Sequence, residues 1–550
     1  MIEPTAHTAA RVRAALPTGP VDVAIVGCGL GGLTAGAYLA RAGLKVACFD
    51  SHYVAGGCAT MFERGRSDER YCFDVGLHYI GDCGPGGMIP GLLRGVGVDR
   101  TFAPMDPDGF DTLVLPDLRF RVPVGLERYR ERLVATFAAE KRGIDRYVRF
   151  LHEVDRAQRQ MEHAGGRMGL RALLDVALHG RLLAKWRSAT IGAVVRECTR
   201  DPRLQAVLLG QNGDYGVPPS EASAVLHAGL QNHYFRGAWY PRGGGQTIAD
   251  GLADAIEAHG GSIHLRCGVE RILLEDGRAV GVRIESGGRH GGAEVRARAV
   301  LSNADLKRTL LELVGPEQLP LEWLGRARDF QMGGALYLLC LGVRHDFVAA
   351  GMTATNYWQF DSYDMDSFYR EARVGDRPVP RGCYITSTAF KDPTTGGHAP
   401  PGVTAVEVMT LVPHDLRAWG VDSPADVASG RYRKLPGYVE RKAAVEADLI
   451  GRLDRLFPGS AAGIVFREGA SPITHERFTR ATDGTGYGLA ATPAQMMKGR
   501  PGYTGPLPGL WLCGASTRAG HGVVGAMTGG QRAAARIGVA LGVAVAGPVL

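Results

Sequence analysis

Long apolar runs are missing from the sequence. No stretch reaches the roughly 18 uninterrupted apolar residues that a membrane-spanning helix requires, so no such helix is expected. Residues 1–20 are polar and contain prolines, and they lack the apolar core of about 7 to 15 residues that marks a secretory signal. We therefore expect a cytoplasmic protein whose residues 1–19 form a loose N-terminal leader.

Paired cysteines, metal-ligand spacings and concentrated charge are missing too. The ten cysteines include no CxxC pair, so neither a metal site nor a disulfide framework is expected. The net charge of +7 is spread along the chain without a basic tail, so nucleic acid is not an expected partner. No internal repeat is visible, and nothing in the sequence indicates an oligomeric state.

Glycine, by contrast, is abundant. The chain has 78 glycines in 550 residues, about twice the usual frequency, which indicates many tight turns and close backbone approaches. The hydrophobic share of 45% and charged share of 22% are those of a globular protein. A chain of this length exceeds one ordinary core, so we expect at least two domains.

The first glycine cluster has the pattern of a dinucleotide-binding unit. The apolar run VDVAIVG predicts a buried strand and leads into GCGLGG, where Gly27, Gly29 and Gly32 have GxGxxG spacing. These glycines permit a tight turn, a close approach of the pyrophosphate, and packing of the next helix on the strand. A second strand, LKVACFD, ends at Asp50, where a carboxylate would bind ribose hydroxyls.

Two further glycine segments indicate that the dinucleotide is FAD. Gly56 and Gly57 follow Asp50 at a distance that resembles the second glycine pair of glutathione-reductase-like flavoproteins. Near the C-terminus, the segment 509–542 reads as a strand, a loop containing Gly514, and a helix that begins near Gly522. That helix start, with Val523, would direct backbone donors at the flavin. The alternative for this segment is a plain surface loop followed by a terminal helix.

Taken together, these motifs and five others resemble the phytoene desaturase superfamily of flavoproteins, in the branch of carotenoid isomerases and all-trans-retinol 13,14-reductases. The five are FDVGLHYIG, GDYGVPPSEAS, YPRGGGQTIADGLADAI, VLSNAD and SPITHERF. The C-terminal loop departs from the family, because it reads GASTRAGHGVVG where desaturases resemble GAGTHPGAGIPG. This departure leaves the direction of the reaction open.

The resemblance implies an α/β fold with a glutathione-reductase-like, Rossmann-type FAD domain that is discontinuous in sequence. Its pieces would be residues 20–110, 240–305 and 485–545. An inserted α+β substrate domain would be formed by residues 111–239 and 306–484. Val269 falls where the superfamily offers backbone groups to the adenine, although a valine in a strand is more often part of the core.

The activity implied by the resemblance is that of an FAD-dependent oxidoreductase acting on carbon–carbon bonds of an apolar polyene or isoprenoid. Saturation is favoured, and desaturation or cis–trans isomerisation of a carotenoid-like substrate is the first alternative. An amine-oxidase-like flavoenzyme and a non-catalytic prenyl- or lipid-binding protein are two further alternatives, because fold alone does not determine function. No second strand-associated GxGxxG is present, so NAD(P)H or another electron carrier would bind only transiently.

Two histidines are candidate catalytic residues. His78 follows FDVG, and the resemblance places it near the flavin; His521 lies in the C-terminal glycine loop. Histidine titrates near neutral pH and can exchange a proton with a substrate. Each ring is equally suited to a positioning hydrogen bond.

A basic amphipathic segment, residues 164–200, is the candidate for peripheral contact with a membrane surface. It combines apolar residues at helical spacing with several arginines and a lysine. The alternative is a helix that packs on the core and exposes its basic face to water. Membrane contact would suit a lipid-soluble substrate.

Overall fold

Two seven-stranded β-sheets organise the computed structural model, which describes residues 6–65, 69–163, 178–374, 376–396 and 398–550. The strands are, in chain order, β1 Val21–Val26, β2 Val46–Phe49, β3 Met61–Arg64, β4 Tyr71–Asp74, β5 Ile80–Gly81, β6 Phe102–Pro104, β7 Asp111–Leu115, β8 Leu118–Val122, β9 Ala238–Pro241, β10 Ser262–His264, β11 Val269–Glu275, β12 Arg278–Ile284, β13 Glu294–Ser302, β14 Ala335–Val343, β15 Asn356–Phe360, β16 Arg373–Val374, β17 Arg377–Pro378, β18 Gly382–Thr386, β19 Thr404–Val412, β20 Ile464–Ala470 and β21 Leu510–Leu512.

Helices connect and cover these strands. In chain order they are α1 Ala6–Arg13, α2 Leu30–Arg41, α3 Met88–Arg94, α4 Leu126–Thr136, α5 Lys141–His163, α6 Arg181–Trp186, α7 Ile191–Cys198, α8 Pro202–Leu209, α9 Ala224–Phe235, α10 Gln246–Ala258, α11 Leu306–Arg308, α12 Leu321–Asp329, α13 Ser367–Arg370, α14 Thr388–Lys391, α15 Pro424–Ser429, α16 Pro436–Leu456, α17 Pro472–Thr479 and α18 Gly522–Leu541. None of the helices in the described part of the chain is both long and apolar enough to cross a membrane.

The first sheet is parallel through the order β10-β2-β1-β13-β21. Strand β1 is central, and Ala24 pairs with Ala47 on one side and with Val300 on the other. Such strands are apolar along their length because helices cover both faces of a parallel sheet. The N-terminal part of β13 also pairs with β12, which with β11 forms an antiparallel extension.

Small residues let two helices pack closely beside this sheet. A Cβ atom on Gly530 of α18 would lie 2.1 Å from the carbonyl oxygen of Gly31 in α2, so only glycine fits there. Helix α10 packs against α2 at Gly36, where a Cβ atom would lie 2.8 Å from the Cδ1 atom of Ile256. The C-terminal helix is thereby held against the first nucleotide-binding helix.

The second sheet has the order β20-β14-β19-β18-β15-β7-β8 and is antiparallel except between β15 and β7. Its strand β14 is buried on both faces. Leu339 and Leu341 point into a core that includes Trp419 and helix α16, whereas Leu338 and Cys340 belong to the core that contains Tyr79. The two-residue period of a strand separates these two sets of side chains.

The two sheets draw on interleaved stretches of sequence. The first takes its strands from residues 21–49, 262–302 and 510–512, and the second takes its strands from residues 111–122 and 335–470. This is the α/β architecture, with a discontinuous Rossmann-type unit, that the sequence predicts. The exact domain boundaries stay a prediction.

The N-terminal segment contains a docked helix, which differs from the loose leader expected over residues 1–19. Arg11 on α1 is only 3% exposed, and its guanidinium donates hydrogen bonds to Asp254 and Glu257 on α10 at 2.6 and 2.9 Å. These ion pairs hold α1 against the nucleotide-binding half, and no apolar periodicity in the sequence reveals them.

The first part of the basic segment 164–200, residues 164–177, lies outside the described residues. The described remainder forms α6 and α7, where Trp186 is buried and donates a hydrogen bond to Glu197 at 2.8 Å. Arg146 and Lys185 also pair with this glutamate. Peripheral membrane contact stays a prediction.

Candidate functional site

The first glycine loop requires glycine at two of its three motif positions. Gly27 follows β1 with φ +95°, and a Cβ atom there would lie 3.2 Å from the backbone at residues 303–304. At Gly32, a Cβ atom would lie 2.2 Å from the carbonyl oxygen of Gly27. Gly29 caps the N-terminus of α2 without a side-chain hydrogen bond, so the first amides of α2 remain free to bind a phosphate.

The second glycine pair lies directly against the first loop. The amide of Gly56 donates to the carbonyl of Cys28 at 2.8 Å, and a Cβ atom on Gly57 would lie 3.1 Å from the Cα atom of Gly29. Gly56 and Gly57 also have φ values of +134° and +60°. We call Gly27, Gly29, Gly32, Gly56 and Gly57 the nucleotide cradle.

Asp50 lies at the end of β2, beside the cradle. One carboxylate oxygen accepts from the amide of Cys28 at 2.7 Å, and the other accepts from the amide of His52 at 2.8 Å. These bonds aim the carboxylate at the turn that the GxGxxG sequence forms. A carboxylate oxygen can accept more than one hydrogen bond, so Asp50 can still bind ribose hydroxyls.

Val269 is the first residue of strand β11. Its side chain is 5% exposed and belongs to the core on one face of the first sheet. The ladder between β11 and β12 has an irregularity between Val269 and Arg271, which breaks the regular backbone pairing there. The valine is therefore part of the core, and a backbone contact with adenine stays a prediction.

The C-terminal loop meets the cradle from the other side. Gly514 follows β21 with φ +89°, and its Cα atom would lie 3.1 Å from a Cβ atom on Gly31. Helix α18 begins at Gly522, with His521 as a cap residue that makes no side-chain cap bond. The amides of Gly522 and Val523 are thus open donors at a helix N-terminus.

Asn303 is a central residue of this region that the sequence analysis did not single out. Its amide nitrogen donates to the carbonyl of Gly27 at 3.3 Å, and its side-chain oxygen accepts from the thiol of Cys513 at 3.5 Å. The same side chain lies within 3.0 Å of the positions that Cβ atoms on Gly29, Gly31 and Gly514 would occupy. The VLSNAD motif, which contains Asn303, is the sequence feature from which this residue could have been predicted.

The two candidate histidines have buried ring nitrogens without partners. Neither ring nitrogen of His78 has a hydrogen-bond partner among the described residues, and the same holds for Nδ1 of His521. Burial lowers the pKa of His521 to about 3 and that of His78 well below its usual value, so both rings are neutral at neutral pH. Buried polar atoms of this kind need a partner.

The thiol of Cys58 lies near Tyr487, which packs against His521. Burial raises the pKa of this thiol to about 11. The glycine cradle, the open amides of α18 and the unpartnered histidine nitrogens together fit a dinucleotide that carries a polar ring system, as FAD does.

Three buried ionisable residues form a group that contacts the backbone of His78 through Lys391, and the sequence analysis missed them. Lys391 donates to the carbonyl of His78 at 2.5 Å, and its ammonium lies 4.7 Å from the ring centre of Tyr240, whose hydroxyl donates to Asp74. Burial raises the pKa of Asp74 to about 6 and of Glu407 to about 8, and it lowers that of Lys391 to about 8. We call Asp74, Lys391 and Glu407 the buried triad.

Aromatic rings form a wall next to His78. Tyr79 stacks on Tyr234 with ring centres 4.1 Å apart, and Trp358 meets Tyr384 edge-on at 4.6 Å. The hydroxyl of Tyr79 lies between the carboxyl groups of Asp111, which is buried, and Asp214, which is half-buried. We call Tyr79, Tyr234, Trp358, Tyr384, Asp111 and Asp214 the tyrosine chamber.

The chamber and the cofactor loop touch at His521. The ring of His521 lies close to the backbone of Asp214 and packs edge-on against Tyr487 at 5.7 Å. Tyr487 in turn donates to the carbonyl of Gly213 at 2.6 Å. The structure thus brings together His78, His521 and the GDYG motif, which are far apart in sequence. In the described part of the chain, no group of three or more metal-ligating side chains could hold an ion.

Comparisons with known proteins agree with this geometry. The model of the flavin-containing amine oxidoreductase family matches residues 30–538. The all-trans-retinol 13,14-reductase of Danio rerio is 28% identical over 490 residues, which cover 85% of this chain and 77% of that protein. Prolycopene isomerase 1 of an Oncidium hybrid cultivar, a chloroplastic protein, is 26% identical over 546 residues, which cover 96% and 86%.

A solved structure shows the same fold. An oxidoreductase from Methanosarcina mazei superposes with a TM-score of 0.59 at 18% identity, covering 92% of this chain and 98% of the other. The shared architecture supports the arrangement of the two sheets and carries no information about the substrate.

Proposed function

Because the chain belongs to the flavin-containing amine oxidoreductase family, we propose that this FAD-dependent oxidoreductase saturates a carbon–carbon double bond in an apolar, conjugated isoprenoid. The proposal has two parts. The first assigns the residues that hold FAD, and the second assigns the chamber that holds the substrate.

The adenosine and pyrophosphate portions of FAD are assigned to the nucleotide cradle and its neighbours. The open amides of α2 bind the pyrophosphate, and the cradle glycines leave room for it. Asp50 accepts hydrogen bonds from the ribose hydroxyls, and the backbone at Val269 contacts the adenine.

The flavin end is assigned to the C-terminal loop. Gly514 keeps the loop close to α2, while the amides of Gly522 and Val523 donate to the electron-rich edge of the ring system. FAD, when bound there, supplies or accepts the hydride of the redox step. His78 and His521, both neutral, orient the ring system and the substrate through their unpartnered nitrogens.

The observation that carries the substrate assignment is the aromatic wall of the tyrosine chamber. Tyr79, Tyr234, Trp358 and Tyr384 are each less than a tenth exposed and belong to one apolar cluster. Flat aromatic faces stack well on a conjugated chain, and an apolar wall keeps water away from the reacting carbons. Retinoids and carotenoids, the compounds named for the relatives, have this chemistry.

The test uses FAD-loaded protein that has been reduced without oxygen. Incubation with all-trans-retinol and with prolycopene is followed by mass spectrometry of the product. We expect a product that has gained two hydrogens, together with loss of polyene absorbance and reoxidation of the flavin. An unchanged substrate with every polyene tested, from protein that retains its flavin, would contradict the proposal.

Isomerisation is the second candidate, because the prolycopene isomerase matches 96% of this chain whereas the Danio rerio reductase matches 85%. The same experiment separates the two, because an isomer has the mass of the substrate but a different retention time. A product that has lost two hydrogens would instead indicate desaturation, with an electron acceptor such as a quinone or dioxygen.

NAD(P)H, as a transient donor, is tested by its ability to reduce the bound flavin.

A further inference from the structure

The hydroxyl of Tyr79 contacts two carboxyl groups at once. It lies 2.5 Å from Oδ2 of Asp214 and 3.3 Å from Oδ2 of Asp111. A phenol has one proton to donate, so it cannot donate a full hydrogen bond to two carboxylates at once. Both contacts are satisfied when one of the two carboxyl groups is protonated and donates its own hydrogen to the Tyr79 oxygen.

The surroundings of the two acids differ, and this difference identifies the protonated one. Asp111 accepts from the side-chain amides of Gln211 at 2.7 Å and Asn356 at 3.0 Å, and these donors stabilise a carboxylate. In the described part of the chain, the Asp214 carboxyl group has Tyr79 as its hydrogen-bond partner. Asp214 is therefore the acid that holds the proton, and Asp111 is the carboxylate.

Within the described part of the chain, no lysine or arginine pairs with the Asp214 carboxyl group, whereas the ammonium of Lys391 interacts with Asp111. Burial first, and the nearby Asp111 charge second, hold the pKa of Asp214 well above its usual value. The titratable groups that face Asp214 from the surrounding elements are Tyr79, Asp111, Tyr215, Tyr234, Tyr369, Tyr384, Tyr487 and His521. None of these groups is a cation at neutral pH, because the His521 ring is neutral, so these surroundings favour the carboxylic acid form of Asp214.

We propose that Asp214 is the proton reserve of the reaction, and that Tyr79 passes its proton to the substrate. This inference rests on the proposed saturation. Tyr79 forms part of the aromatic wall, and the backbone of Asp214 lies close to His521 in the cofactor loop.

The transfer balances as follows. One carbon of the double bond takes a hydride from the reduced FAD of the proposed function, and the π electrons move to its neighbour. That neighbour forms a C–H bond with the proton of the Tyr79 hydroxyl, whose O–H bond breaks. The Tyr79 oxygen then takes the proton of Asp214, and the resulting carboxylate is reprotonated from water before the next turnover.

A spectroscopic test examines the protonated acid without any reaction. The infrared carbonyl stretch of a carboxylic acid is recorded at neutral pH for FAD-loaded wild type, Asp214→Asn, Asp214→Glu and Asp366→Asn. Asp366 is a matched control, because it is also a half-buried aspartate whose carboxylate accepts a hydrogen bond from the amide of Ser220 at 2.9 Å. We expect Asp214→Asn to lose one acid band and the other two variants to retain it. If Asp214→Asn keeps every acid band, the inference is wrong.

A kinetic test examines the transfer itself. Asp214→Asn and Tyr79→Phe should each lower kcat for polyene reduction about 100-fold, with KM nearly unchanged and flavin absorbance retained. Asp214→Glu should recover most of the rate. The wild-type rate should fall as pH rises and the acid ionises, and this alkaline limb should disappear in Asp214→Asn.

The two tests keep the inference and the proposed function apart. Loss of the acid band in a protein that reduces no polyene would mean that the proposed function is wrong, and the proton transfer with it. Full reduction activity in Asp214→Asn would overturn the proton reserve and leave the proposed saturation intact. A rate loss that Asp214→Glu does not recover, accompanied by loss of flavin, would mean that Asp214 has a purely structural role.

Discussion

The nucleotide cradle and the tyrosine chamber are two parts of the candidate site that are built in different ways. The cradle is made of backbone, and its glycines matter because a Cβ atom would occupy the space that the chain or a phosphate needs. The chamber is made of side chains whose properties arise from burial, such as the raised pKa values of Asp111 and Asp214. A backbone site can therefore be identified from spacing along the chain, whereas a side-chain site depends on which residues the fold brings together.

The largest effect is expected in the buried triad. Lys391→Met removes the cation beside Asp74 and Glu407 and the donor to the His78 carbonyl. Breaking a buried charge group by removing one partner costs about 3 kcal/mol or more, so the free energy of unfolding should fall by that amount in urea titrations. Lys498→Met, at an exposed lysine, is the control and should change it by less than about 0.5 kcal/mol. Equal stability of the two variants would show that the triad contributes little.

The cradle should respond to added volume. Gly32→Ala places a Cβ atom 2.2 Å from the Gly27 carbonyl oxygen, so the loop must move and the pyrophosphate site is distorted. We expect a loss of about 1–3 kcal/mol in stability and little bound flavin, measured by denaturation and by flavin absorbance. Gly19→Ala is the matched control, because nothing lies within 4 Å of its Cβ position. Normal FAD content in Gly32→Ala would contradict the assignment of the cradle.

A smaller effect is expected at Asp50. Asp50→Ala removes the acceptor assigned to the ribose hydroxyls and should weaken FAD binding about 10-fold, because hydrogen bonds to a charged group contribute about 1.5–3 kcal/mol. Equilibrium dialysis or fluorescence titration of the apoprotein measures the change. Asp50→Asn should recover part of the affinity through its remaining acceptor oxygen. Unchanged FAD affinity in Asp50→Ala would exclude the ribose contact.

The smallest effect concerns the pH dependence of stability. The folded-state pKa of Glu407 is raised from 4.5 to about 8, so its contribution to stability is present below pH 4.5 and is lost as pH rises toward 8. Glu407→Gln cannot ionise, so its Tm should improve relative to wild type across that interval. Glu275→Gln, an exposed glutamate paired with Arg296, should follow the wild-type curve. Parallel curves for Glu407→Gln and wild type would mean that Glu407 does not titrate in this interval.

Part of this site could be predicted from the sequence, and the cradle shows why. Gly27, Gly29, Gly32 and Asp50 lie within one strand–turn–helix–strand unit, so their mutual geometry follows from local spacing. Asn303 joins the same loop from a distant strand, and only the parallel pairing of β1 with β13 places it there. The motif that contains Asn303 was visible, but the contact was not.

The sequence by itself determined the class of fold and the nucleotide-binding unit, because strand pattern, glycine spacing and a terminal acid are local properties of the chain. Only the tertiary structure decided that Tyr79, Asp111 and Asp214 share one hydrogen-bonded group. The physical reason is that protonation of a carboxyl group depends on desolvation and on neighbouring charges, and both are set by residues far away in sequence.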